Sequence, residues 1–153
     1  MITIVAVGKL KEKAWKELSD EYVKRISSYS KVEIIEVADE TNRLEEAKVK
    51  KLEGERILKA IKKDSFVVLL DLRGRMLNSV ELSMKIDEIN TYNSSNITFI
   101  IGGSLGVSDE VFARADYKWK LSDLTFPHNL VRILLLEQIY RSYRILNNEP
   151  YHK

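Results

Sequence analysis

The chain contains two histidines, and they flank one strongly apolar segment. His128 lies in "LSDLTFPHNLVR" (121–132) and His152 in the terminal "PYHK" (150–153). Imidazole has an ordinary pKa suited to proton transfer near neutrality, so each is a candidate general acid or base. A lone histidine serves as often as a structural or exposed residue, and the spacing does not choose between these uses. Arg132 follows His128 by four residues, which one helical turn would align with the same cleft. Placed at about 100° per residue, Arg132 falls in register with Leu136, Ile139 and Tyr143. A guanidinium on an apolar stripe requires an anion or carbonyls. That anion is either a carboxylate of the protein or a phosphate of a ligand. Arg144 shares a different stripe with Glu137 and Arg141, where pairing across a turn is expected. The tail "NNEPYHK" (147–153) defaults to disorder as a short polar terminus. Its tyrosine, histidine and lysine also suit stacking on bases and contacting phosphate.

A second group of residues can bring a ligand close to backbone. Gly102, Gly103 and Gly106 in "FIIGGSLG" form a turn before a helix start, where glycine allows positive φ or close approach. The lysine–serine/threonine signature of a phosphate loop is missing, and the spacing differs from the dinucleotide fingerprint. The alternative is a tight strand-to-helix turn and nothing more. Pro127 suits the first helical position of the segment that carries His128.

These residues need a scaffold, and the hydrophobic pattern supplies one. Strand-like runs at 2–7, 32–38, 65–72 and 97–103 alternate with helical patterns at 12–29, 43–63, 79–92 and 108–115. The long charged pattern at 43–63 contains Gly54, which argues against one unbroken helix. Ser79 and Ser108 are positioned as helix caps. Residues 117–126 alternate and then turn irregular, and a last helix runs from about His128 to Leu146. Strands buried on both sides and separated by helices predict an α/β fold, a mostly parallel sheet covered on both faces. Ligands of such sheets bind beyond the carboxyl ends of the strands. Three ends stand out: "LLDLRG" (69–74), "IIGGSLG" (100–106) and "LSDLTFPH" (121–128). The last helix carries Leu130, Leu134, Leu136, Ile139, Tyr140 and Tyr143 around nearly its whole circumference, so it must be covered on nearly all sides. A second copy of the chain is the expected cover, which predicts a homodimer; cover by the same chain is the alternative.

With 153 residues, one domain spanning 1–153 is expected. A net charge of +2 permits a polyanionic partner without demanding one. The absence of cysteine excludes disulfides, thiolate metal sites and a cysteine nucleophile. The N-terminal apolar run has no positive region before it and reads as a strand rather than a leader. No apolar stretch approaches the ~20 residues of a membrane span, so a cytoplasmic protein is expected.

Taken together, "FIIGGSLG", "LSDLTFPHNLVRILLLEQIYRSYRI" and the terminal "EPYHK" resemble the ribosomal large-subunit pseudouridine methyltransferase H family, within the SPOUT class. The N-terminal "VAVGK" and the central "LDLRG" resemble it too, over the whole length. The resemblance implies a SPOUT-type fold with a C-terminal trefoil knot and a dimer built on it. It implies S-adenosylmethionine as methyl donor, no metal, and N3-methylation of a pseudouridine in 23S ribosomal RNA on the assembled ribosome. The family's donor-binding positions fall on Leu70, Gly102, Leu121, Ser122, Asp123, Leu124, Thr125 and Phe126. Asp123 is out of character for an apolar pocket and is expected to face solvent or the donor's positive end. Within that reading His128 accepts the N3 proton or orients the base. Arg132 or Arg144 steadies its charge, and His152 reaches across from a partner's tail. Two rivals use the same strand ends: a flavodoxin-like mononucleotide-binding module, and a non-catalytic ribosome-associated dimer.

Overall fold

The computed structural model describes residues 1–40 and 45–153. Five strands form one sheet: β1 (Ile2–Val7), β2 (Val32–Val37), β3 (Phe66–Met76), β4 (Ile97–Ile101) and β5 (Tyr117–Lys120). Their order is β2-β1-β4-β3-β5, and every pairing is parallel. The helices are α1 (Lys13–Ile26), α2 (Glu46–Ala60), α3 (Ser79–Tyr92), α4 (Asp109–Arg114) and α5 (His128–Leu146). Period-two alternation sends Ile2, Ile4 and Ala6 of β1 into one core and Val5 and Val7 into the other. Residues of α1, α3 and α5 close the first core, and residues of α2 and α4 close the second. This is the doubly covered parallel sheet that the strand pattern predicts.

Several boundaries differ from the sequence reading. Helix α2 begins at Glu46, while Arg43 and Leu44 of the predicted segment lie outside the described residues. Gly54 does not interrupt it; the helix needs glycine there, because the Ser108 hydroxyl already fills the space a Cβ would take. The strand expected over 65–72 continues to Met76. Its residues 71–74 bulge outward between two pairings with Trp119. Asn78, not Ser79, caps α3: its side chain accepts from the Glu81 amide at 2.8 Å while the Glu81 carboxylate accepts from the Asn78 amide. Pro127 sits one position before the first helical residue. Its φ of −58° is helical but its ψ of 146° is extended, and its carbonyl accepts the Val131 amide.

Helix α5 lies against α1 and α3 of its own chain, burying Leu135, Leu136 and Ile139. Leu130, Val131, Leu134 and Tyr140 remain half-buried. Among the described residues, no helix is long and apolar enough to cross a membrane.

Candidate active site

Parallel strands deliver their carboxyl ends to one rim, and the chain segments after β4 and β5 meet there with the bulge of β3. Each is shaped by a local device. In the bulge, Asp71 accepts from Arg73 through both its amide and its guanidinium, at 2.9 Å each. The Arg73 guanidinium holds the Asp71 carboxyl below its ordinary range. Gly74 is packed on β5 so closely that a Cβ would stand 2.6 Å from the Lys118 carbonyl. After β4, the Gly106 amide closes a turn onto the Gly103 carbonyl at 3.0 Å, with Gly106 at φ 89°. After β5, Ser122 Oγ accepts the Leu124 amide at 2.9 Å.

The three segments enclose a cleft of about 550 Å³. Leu70, Gly102, Leu121, Ser122, Leu124, Thr125 and Phe126 all line it, so residues more than fifty positions apart converge on one volume. Asp123 does not line it; its side chain is exposed and pairs with Lys120. A smaller cleft of about 300 Å³ adjoins the first and shares Ile101, Gly103, Ser104, Leu105 and His128 with it. His128 therefore stands at the junction, with its side chain exposed.

Arg132 lines the smaller cleft with His128, as the one-turn spacing predicts. Its anion is a carboxylate of the protein. Nη1 donates to Glu36 Oε2 at 2.5 Å and Nη2 to the Gly8 carbonyl at 3.2 Å, and the residue is 5% exposed. Glu36 Oε2 also accepts the Leu10 amide at 3.0 Å. Burial raises the Glu36 carboxyl, but the Arg132 guanidinium and the Leu10 amide outweigh it, and the net shift is downward.

Arg144 lines neither cleft. It donates to Glu149 Oε2 at 2.5 Å, to the Tyr29 hydroxyl at 3.1 Å and to the Pro150 carbonyl at 2.9 Å. The tail is thus docked rather than loose. Tyr151 meets Tyr140 edge-on at 4.9 Å and lies 4.6 Å from the Arg141 guanidinium, and His152 Nδ1 lies 3.2 Å from Arg141. The expected pairing of Arg141 with Glu137 is present at 2.7 Å. Along α5 Arg144 is consequently about 24 Å from His128, and Arg141, which His152 meets, about 20 Å, at a rise of ~1.5 Å per residue. Among the described residues, no group of three histidine or carboxylate side chains is arranged to hold a metal ion.

A family model described as "Predicted SPOUT methyltransferase" matches residues 1–152. The chain is 54% identical to "Ribosomal RNA large subunit methyltransferase H" of Alkaliphilus oremlandii, over 99% of each chain. It is 52% identical to "Putative ribosomal RNA large subunit methyltransferase H" of Methanococcus maripaludis, again over 99% of each. The chain belongs to the methyltransferase H family of SPOUT proteins. A solved structure described as a probable methylase family protein from Haemophilus influenzae shares the fold, with a TM-score of 0.54 at 14% identity, over 99% of this chain and 70% of that one. Ligands of open parallel α/β sheets bind beyond the carboxyl ends of the strands, and here that rim carries both clefts.

Sequence reasoning missed two features of this rim. Glu36 and Arg132 are 96 positions apart, and nothing local links them. Glu53, by contrast, left a signal: it falls on the same helical stripe as Val49 and Ile57, where a charge is out of place.

Proposed function

We propose that residues 1–153 form one S-adenosylmethionine-dependent methyltransferase domain acting on N3 of a pseudouridine in 23S ribosomal RNA, on the assembled ribosome in the cytoplasm. The observation that supports it best is the convergence of Leu70, Gly102 and the 121–126 segment on one cleft of about 550 Å³. That volume lies within the range of sites for ligands of this size. The residues present fit such a donor. Leu70, Leu121 and Phe126 supply apolar walls for a purine, and Gly102 lines the cleft, its missing Cβ making room for Val107 Cγ1, which would otherwise stand 2.6 Å from it. When bound, S-adenosylmethionine supplies an electrophilic methyl carbon on a positively charged sulfur.

The chain's own part is placement. His128, at the junction of the two clefts, is positioned to hold or accept the N3 proton of a base entering beside the donor. The ion pair of Arg132 with Glu36 fixes the first turn of α5, and through it the orientation of His128. Arg132 acts as a positioning residue in this reading, not as a cation facing the base. Arg144 likewise anchors the tail through Glu149 and the Pro150 carbonyl.

A homodimer completes the site. The half-buried side of α5, with Leu130 and Leu134, is the surface we assign to a second copy. A two-fold pairing of α5 helices would bring the tail of one chain, with His152, beside His128 of the other. The 121–127 segment is assigned the threading of the SPOUT trefoil knot. Pulled from both ends, the unfolded chain should then fall short of its full contour length by the residues held in the tightened knot.

The decisive experiment is a methyl-transfer assay on ribosomes from cells lacking this protein, with the modified base mapped. Labelled methyl appearing at N3 of a pseudouridine in 23S RNA is expected. Ribosomes that bind the protein and gain no methyl group would sink the reading.

A further inference from the structure

Glu53 lies on the inward stripe of α2 and is 5% exposed. Its Oε2 accepts one hydrogen bond, from the Glu40 amide at 3.0 Å. Its Oε1 is buried and has no hydrogen-bond partner among the described residues. Two basic side chains of the same helix are directed elsewhere. Lys50 pairs with Glu46 at 3.2 Å, and Arg56 pairs with Glu40 and donates to the Ala38 carbonyl at 2.8 Å. A buried carboxylate with so little compensation is costly in isolation and is relieved by a cation brought near it.

Oε1 faces Gly103, a residue common to both clefts. A Cβ built on Gly103 would stand 2.5 Å from Oε1 and 3.3 Å from the carboxyl carbon. Only glycine at 103 lets the carboxylate come this close to the turn. Gly103 lines both clefts and Glu53 itself lines the smaller one, so the carboxylate stands across the Gly103 turn from the large cleft. In such a setting a charge acts across several ångströms with little screening.

Resting on the reading of the large cleft as the donor site, we infer that Glu53 makes the site selective for the positively charged donor over its neutral product. S-adenosylmethionine carries a sulfonium. After methyl loss the bonding pair stays on sulfur, and S-adenosylhomocysteine is left with an uncharged thioether. A negative charge across the Gly103 turn from the large cleft stabilises the first and is indifferent to that atom in the second. The consequence is a site that holds the donor and releases the spent form.

Titration calorimetry on the full chain, wild type and Glu53→Gln, tests this with three probes: S-adenosylmethionine, S-adenosylhomocysteine and sinefungin, which carries an amine cation in place of the sulfonium. Glutamine keeps the shape and an acceptor for the Glu40 amide while removing the charge. The expected result is weaker binding of both cationic compounds, on the order of tenfold, for unit charges about 10 Å apart at an effective dielectric of about 20. S-adenosylhomocysteine should be nearly unaffected. Equal loss for all three would mean that Glu53 only supports the turn, and no loss for any would mean that its charge is unused; either overturns the inference. Glu53→Ala must shift the ratio of cationic to neutral binding in the same direction, and an unchanged ratio there counts against it equally. Wild-type protein that binds none of the three would overturn the donor reading and this inference together, whereas wild-type binding with an unshifted ratio in the variants overturns the inference alone.

Discussion

Arg132 joins α5 to the far edge of the sheet, through Glu36 on β2 and the Gly8 carbonyl after β1. Its guanidinium is almost wholly enclosed, while the Glu36 side chain keeps 32% of its exposure. Removing one partner of a buried pair strands the other, and the exposure of Glu36 moderates the loss. Arg132→Met should therefore cost about 2–4 kcal/mol in urea unfolding, below the top of the range for a fully enclosed pair. The same pair sets a pH dependence. The Glu36 carboxyl is held below its ordinary value in the folded chain. Its contribution to stability is thus fully present above the unfolded carboxyl pKa, near 4.3, and is lost as pH falls through the lower folded value. Glu36→Gln should flatten that part of the stability profile between about pH 5 and the acid limit, measured by urea midpoints at successive pH. From residue types alone, Arg132 was legible as a buried cation in need of an anion, since guanidinium on an apolar stripe admits few alternatives. Which anion was not legible, because the partner is supplied by strand order rather than by neighbouring sequence.

The segments at the sheet rim owe their shape to glycines that act in different ways, and substitution separates them. Gly74 is pressed against β5, with the Lys118 carbonyl and Trp119 amide nitrogen within 2.7 Å of the point a Cβ would occupy. Gly106 adopts φ 89° in open space. Gly74→Ala should push β3 and β5 apart and cost about 1–3 kcal/mol or more, because backbone cannot step aside as a side chain can. Gly106→Ala should cost about 1 kcal/mol, from the left-handed conformation alone. Thermal melts rank the two, and a larger loss at Gly106 would contradict the packing argument. At this scale the alternation of apolar runs and helical stripes was readable, since burial on two faces leaves a continuous apolar strand. The ends were less so. The apolar run reads as ending at residue 72, yet β3 continues through Gly74 because β5, two strands later in the chain, is close enough to need the missing side chain. Asn78 took the cap expected of Ser79 because Glu81 stands three residues beyond it and completes the reciprocal pair. The convergence of 70, 102 and 121–126 was readable only as a family resemblance; spacing offered three strand ends, and the order of strands decides that they meet.

For the whole molecule, the separation of the two histidines is the constraint that matters. His128 opens α5, and the docked tail holds His152 against Arg141, thirteen residues further along or about 20 Å at a rise of ~1.5 Å, so one chain does not place both at one reacting base. The site is then either built without the tail or built from two chains. A mixing experiment distinguishes these. Protein carrying His128→Ala and protein lacking residues 149–153 should each be inactive on ribosomes while retaining donor binding. Unfolded together and refolded in equal amounts, random pairing makes half of the dimers mixed. Each mixed dimer holds one site with an intact His128 facing an intact tail and one site with neither. Activity should return to roughly a quarter of the wild-type level. A tail that acts only within its own chain would give no recovery, because the truncated chain's His128 would still lack one and the other chain would still lack its histidine. Full activity in the truncated protein alone would remove the tail from the chemistry, and the docking of Tyr151 on Tyr140 would then be a matter of stability only.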